Sequence, residues 1–125
     1  MIHDSPIWLY DNYCITDPVV EMIRRSGLAR RTFGRRFQAA TGHAPLDYVQ
    51  RVRIEEAKQL LETENHTIEQ VANQVGYDDA VSFRRLFKRM VGETPAAYRR
   101  RQSVSENARE IMRLSMPRDE SVIPA

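Results

Sequence analysis

Thirteen of the sixteen lysines and arginines in residues 1–101 crowd into three windows, Arg24 to Arg36, Arg84 to Arg89 and Arg99 to Arg101, none of which holds an acid. A guanidinium presents its N–H donors as a planar fork that matches the paired acceptors of phosphates and of guanine edges. Arginines clustered without acids therefore suit a polyanionic partner. The net charge is only +2, so the distribution of charge carries this reading and its sum does not. Any one window, taken alone, is equally what a solvated helix face looks like.

Other chemistries find little material. There is no G-x-S-x-G and no Walker-type glycine loop, and Glu55 and Glu56 stand side by side where helix-surface pairs with Arg or Lys are expected. Cys14 is the sole cysteine, which excludes an internal disulfide and a Cys-rich metal site. His3, His43 and His66 are too scattered for a ligand set and read as loop or surface residues. The chain is expected to be no enzyme and to need no cofactor or metal.

The elements that must position the arginines emerge from an internal repeat. SGLARRTFGRRFQAATGHAPLDY, ending at Tyr48, returns as VGYDDAVSFRRLFKRMVGETPAAY, ending at Tyr98. Phe33 pairs with Phe83, Phe37 with Phe87, Gly42 with Gly92, Pro45 with Pro95 and Tyr48 with Tyr98, all at an offset of 50, while Gly27 and Gly76 are 49 apart. Each copy is preceded by a short amphipathic helix: Asp17 caps one with Pro18 at its first position, and Thr67 caps the other with Gln70 three residues on. Gly27 or Gly76 stops that helix, a second follows over about Arg30 to Thr41 or Asp79 to Val91, and Gly42 or Gly92 stops it again. The pattern is helix, turn, helix, twice.

At 100° per residue, Phe33, Arg36, Phe37 and Ala40 share one side of the first such helix, whereas Arg31, Arg35 and Gln38 lie opposite with Gly34 beside them. In the second copy Phe83, Leu86, Phe87 and Met90 face the core, and Val81, Arg85 and Lys88 face away, flanked by Ala80 and Arg84. A bundle built only for stability has no use for the same basic outward face twice. Between the copies, Pro45 to Glu62 carries Val49, Val52, Ala57, Leu60 and Leu61 at helical spacing. Such a helix is about 27 Å long, the order of the roughly 34 Å between successive major-groove faces on one side of a duplex.

The fold expected is all-α, with about seven helices: an N-terminal helix and first helix-turn-helix over 1–50, a linker helix over 45–62, a second helix-turn-helix over 63–101 and an extension over 102–125. The first helix is expected to be capped by Ser5, with Pro6 at its first position. In the extension a short helix from Ser105 to Leu114 is expected, with Ala108, Ile111 and Met112 packed back on the module. No apolar run reaches membrane-span length and no signal peptide opens the sequence, so a cytoplasmic location is expected.

The stretch Arg53 to Arg100, RIEEAKQLLETENHTIEQVANQVGYDDAVSFRRLFKRMVGETPAAYRR, resembles the C-terminal half of the AraC/XylS family signature, and Ser26 to Gln50 resembles that family's first helix-turn-helix. The ordered set A-x-x-V-G-[YF], F-x-x-x-F-K, G-x-[TS]-P and Y-R-R carries the resemblance. It implies a sequence-specific transcription regulator that binds double-stranded DNA through two helices in adjacent major grooves, activating through RNA polymerase more often than repressing. By that resemblance Arg31, Gly34, Arg35 and Gln38 in the first copy, and Ala80, Val81, Arg84 and Arg85 in the second, take the base-reading positions. Gly34 cannot read a base, and Ala80 and Val81 offer only apolar contact with a thymine methyl. Arg30, Thr67, Asp78, Lys88 and Thr94 are expected at phosphates. The wording DPVVEMIRRSGLARRTFGRRF is most similar to the subgroup in which the module follows a PfpI-like sensor domain, which implies a fragment of a longer regulator, the alternative being a stand-alone member of the kind that binds DNA as a monomer. The other reading is a helical protein-interaction module whose basic faces hold an acidic partner.

Overall fold

The structure, a computed structural model, describes residues 5–63 and 65–115. Among the described residues there are seven helices and no strand: α1 (Ser5–Asn12), α2 (Pro18–Ser26), α3 (Arg30–Thr41), α4 (Pro45–Glu62), α5 (Ile68–Gln74), α6 (Ala80–Val91) and α7 (Pro95–Ser115). His3 lies outside the described residues, as do residues 116–125 of the extension. The starts of α2 and α5 follow from side chains that accept the orphan amides of a first turn. Asp17 accepts from the Val20 amide at 3.3 Å, with Pro18 next to it, and Thr67 and Gln70 form a reciprocal capping box at 3.0 and 2.9 Å. The first helix starts at Ser5 itself, one residue earlier than the cap-then-proline pattern predicts.

The helices pack as two lobes strung on α4. Its first half gives Val49 and Val52 to a core with Leu9, Met22, Phe33 and Phe37, and its second half gives Ile54, Ala57 and Leu61 to a core with Val71, Val75, Phe83, Leu86, Phe87 and Tyr98. The repeat seen in sequence is a repeat of contacts. Phe33 and Phe37 lie 5.5 Å apart with Tyr48 edge-on to Phe37 at 5.4 Å, and Phe83 and Phe87 lie 5.8 Å apart with Tyr98 edge-on to Phe87 at 5.6 Å. All four phenylalanines are fully buried, and burying an aromatic ring is the largest apolar contribution a core this small receives.

Two expectations are corrected. Arg36 and Ala40 are exposed, so the buried stripe of α3 is only Phe33 and Phe37. The helix packs chiefly against α2 and α4, and the flank that carries Arg36 and Ala40 is left open to solvent. The extension holds no separate short helix over its described part: α7 runs unbroken through Ser115, as a stretch without Gly or Pro after its first residue permits. Ala108 is exposed and Ile111 and Met112 are 64% and 62% exposed, so they do not pack back on the lobes.

Candidate nucleic-acid interface

The three basic windows part company once the side chains are placed. In the third, Arg99 donates to the Leu61 carbonyl at 3.0 Å and Arg101 to Glu93 at 2.9 Å, stacking 5.5 Å from the Tyr98 ring. These arginines tie α7 to α4 and to its own start. At the end of α2, Arg24 is bound by Glu21 and Arg25 lies over the Trp8 ring at 5.3 Å. Arg100 stays exposed on α7, and the largest groups of solvent-facing cations stand on the two helices that follow the turns.

On α3, Arg30, Arg31, Arg35, Arg36 and Gln38 are all exposed, and Gly34, half-buried between them, has open space where a Cβ would stand. None of these arginines forms an ion pair among the described residues. The helix opens on Ala29, which offers no capping side chain, and its first turn holds no acid. Positive charge from the helix dipole and from Arg30 and Arg31 thus coincide at one end.

The corresponding end of α6 is built differently. Asp79 caps it, accepting from the Val81 amide at 2.9 Å and from the Ser82 hydroxyl at 2.8 Å, with Asp78 exposed just before it. The Ser82 hydroxyl, then the Val81 amide, holds the Asp79 carboxyl below its ordinary value. Ala80 is partly buried against the second core, whereas Val81 is 53% exposed. Arg84 reaches back across the turn to Glu69 on α5 at 2.6 Å. Arg85 and Lys88 remain exposed, and Arg85 with Arg89, Gln50, Ser82 and Tyr77 lines a cleft of about 380 Å³ between α4 and α6.

Of the helix starts expected to meet phosphates, two already spend amides on side chains. At α5 the capping box takes the amides of Thr67 and Gln70, and Glu69 adds an acid to the first turn. At α7 the Thr94 hydroxyl accepts from the Ala97 amide at 3.1 Å. Sequence reasoning missed the acids of the second copy, Asp79 and Glu69, though the cap position of Asp79 was there to be read. It also missed Arg53, which is only 8% exposed on α4. Its one sequence signal is a charged residue lying inside the apolar row of that helix.

Comparison with known proteins agrees with this geometry. The family model described as Helix-turn-helix domain matches residues 22–101. The raffinose operon transcriptional regulatory protein of Pediococcus pentosaceus is 31% identical over 93 residues, covering 74% of this chain and 34% of that protein. The MmsAB operon regulatory protein of Pseudomonas aeruginosa is 39% identical over 74 residues, 59% of this chain and 24% of that protein. The chain therefore spans about a third or less of these curated relatives. Among solved structures, the DNA-binding domain of AdpA in complex with a target DNA is 33% identical with a TM-score of 0.79, covering 83% of this chain and 94% of that one.

Proposed function

Because this chain belongs to the AraC-type helix-turn-helix domain family, we propose that it is the operator-reading part of a transcription regulator and places α3 and α6 in successive major grooves of double-stranded DNA. The observation that carries this is the repeated basic face: two helices, each following a turn and each held by the same Phe–Phe–Tyr stack, present exposed cations, with Arg35 and Arg85 at the same position of the 50-residue repeat. The resemblance to a domain bound to its target DNA supports it. In this reading Arg31 and Arg35 donate to guanine edges and Gln38 to an adenine or a phosphate, Gly34 lets the backbone approach, and Arg85 leads base reading in the second groove. Arg84 reads a base only by leaving Glu69, and Ala80 and Val81 supply at most apolar contact. Arg30 and Lys88, with the amides near Thr67, Asp78 and Thr94, grip phosphates.

Two parts of the proposal concern the longer protein. Relatives roughly three to four times the matched length, and the wording of α2 and α3, support a sensor of the PfpI-like kind in the same parent chain. Activation through RNA polymerase in the cytoplasm is the regulatory output that fits the family.

The test is salt-titrated binding to duplex DNA, first random and then a site selected from a random pool. Affinity should fall steeply with salt, on a slope set by the number of phosphates neutralised. Arg35→Ala and Arg85→Ala should each weaken the selected site by about 1–3 kcal/mol and relax one position of it. Absence of duplex binding at low salt would sink the proposal, leaving the acidic-protein partner.

A further inference from the structure

The geometry points to Arg53 as a positioning residue: with Tyr13 and Tyr77 it forms a latch between the lobes that fixes the angle between α3 and α6, so that both fit one DNA site at once. The buried row of α4 changes allegiance at this residue, from Val49 and Val52 in the first core to Ile54, Ala57 and Leu61 in the second. Its guanidinium donates through Nε to the Tyr13 carbonyl at 2.7 Å and through Nη2 to the Ile15 carbonyl at 2.8 Å, both in the connection between α1 and α2. Its flat face lies 5.0 Å from the centroid of Tyr77, in the turn between α5 and α6. Gly76 leaves the guanidinium room, since a Cβ there would stand 3.0 Å from its Cζ and Nη2. The Tyr13 side chain packs against both hydrophobic cores.

A buried cation is a poor way to gain stability, because apolar residues of similar volume do as well or better. What it supplies is direction. The fork bonds two carbonyls 38 and 40 residues away in sequence and stacks on a ring of the opposite lobe, and these contacts hold together only in one arrangement of the lobes. Two DNA-reading units on one chain gain a large advantage from simultaneous engagement, and lose it when geometry forbids the second contact.

This inference rests on the DNA reading, and its test separates the two. Arg53→Lys keeps the charge and stem and loses the fork; Arg53→Met removes the charge at similar bulk. Each is compared with the unaltered 125-residue chain on a duplex carrying the full selected site and on one in which the α6 part is scrambled. The full-site affinity should fall at least about tenfold, towards that of the scrambled duplex, while affinity for the latter stays within about twofold. Tyr77→Leu, which removes the stacking ring, should act in the same sense and serves where Arg53→Met fails to fold. Equal loss on both duplexes, or no loss on either, overturns the latch. A second readout needs no DNA: Cys14, the exposed cysteine between the two accepting carbonyls, carries a spin label whose mobility should rise in Arg53→Lys. Unchanged mobility also overturns the latch, whereas increased mobility in a chain that binds no duplex would leave it standing and discard the DNA reading.

Discussion

Replacing Gly76 by alanine should destabilise the chain more than the same change at Gly92, and the difference isolates the worth of the Arg53 contacts. Both glycines follow a helix in the left-handed half of backbone space, at φ +103° and +97°. Gly76 sits in a Schellman turn in which its own amide bonds the Asn73 carbonyl at 3.1 Å and the Tyr77 amide bonds the Ala72 carbonyl at 2.8 Å. A Cβ at such angles costs about 1–2 kcal/mol, reduced by about 0.4–1 kcal/mol because alanine restricts the unfolded chain. That sum applies equally at both positions. At Gly92 the new methyl meets nothing within 4 Å, whereas at Gly76 it presses on the Arg53 guanidinium at 3.0 Å. Arg53 cannot give way without stretching its bonds to the Tyr13 and Ile15 carbonyls, and a hydrogen bond to a charged group contributes about 1.5–3 kcal/mol. A shift of that kind stretches these bonds without breaking them, so urea denaturation should find Gly76→Ala the less stable of the two variants by a difference of no more than about that amount, at unchanged m-value. In an Arg53→Met background the difference should vanish, since the contact that makes it is gone. Equal destabilisation by the two substitutions in the unaltered background, or a difference that survives Arg53→Met, would refute the reasoning.

Two further outcomes follow from the acids of the second copy. The Asp79 carboxyl, held below its ordinary 3.8 chiefly by the Ser82 hydroxyl, stabilises the start of α6 while ionised. That contribution is full above 3.8 and is lost as pH falls through the lowered folded value, so the melting-temperature gap between the unaltered chain and Asp79→Ala should hold at neutral pH and narrow in acid. A gap that widens in acid contradicts the sign. Glu69→Gln releases Arg84 from its 2.6 Å partner and removes one acid from the proposed DNA face, so fluorescence-anisotropy titration should find tighter binding to the selected site; weaker binding would mean that Glu69 holds Arg84 in its working position.

The sequence made the double helix-turn-helix legible because its punctuation is local. Asp17, Thr67 and the glycines act within a few residues of themselves, and the Phe33, Phe37, Tyr48 and Phe83, Phe87, Tyr98 triplets recur at one offset because each has the same packing to perform. What a helical wheel does not show is which flank a neighbouring helix covers, and so it puts Arg36 and Ala40 inside although both are exposed. Nor does it show that an arginine can lie in an apolar row because two carbonyls some 40 positions away wait for it. Charge counting by windows likewise merged cations that bind DNA in the proposed reading with Arg99 and Arg101, which brace α7. Partners decide that distinction, and partners are set by tertiary structure.

The placement of those partners makes the two helices proposed to read DNA unequal in kind. On α3 the dipole, Arg30 and Arg31 add at an end with no capping acid, and Arg35 and Gln38 continue an exposed face with no ion pair on its arginines among the described residues. On α6 the same end is capped by Asp79, Ala80 is turned against the core, and Arg84 is engaged by Glu69. An ion pair exchanged for a base contact gives back part of what the contact supplies, while an unengaged guanidinium loses only water. Base discrimination should therefore concentrate under α3, with α6 contributing Arg85 and a phosphate grip. An unequal pair of this kind gains most from a rigid connection, because the weaker reader engages only if the stronger one delivers it to the next groove at the right angle. Within this fold α4 sets the distance between the readers and the Arg53 latch sets the angle.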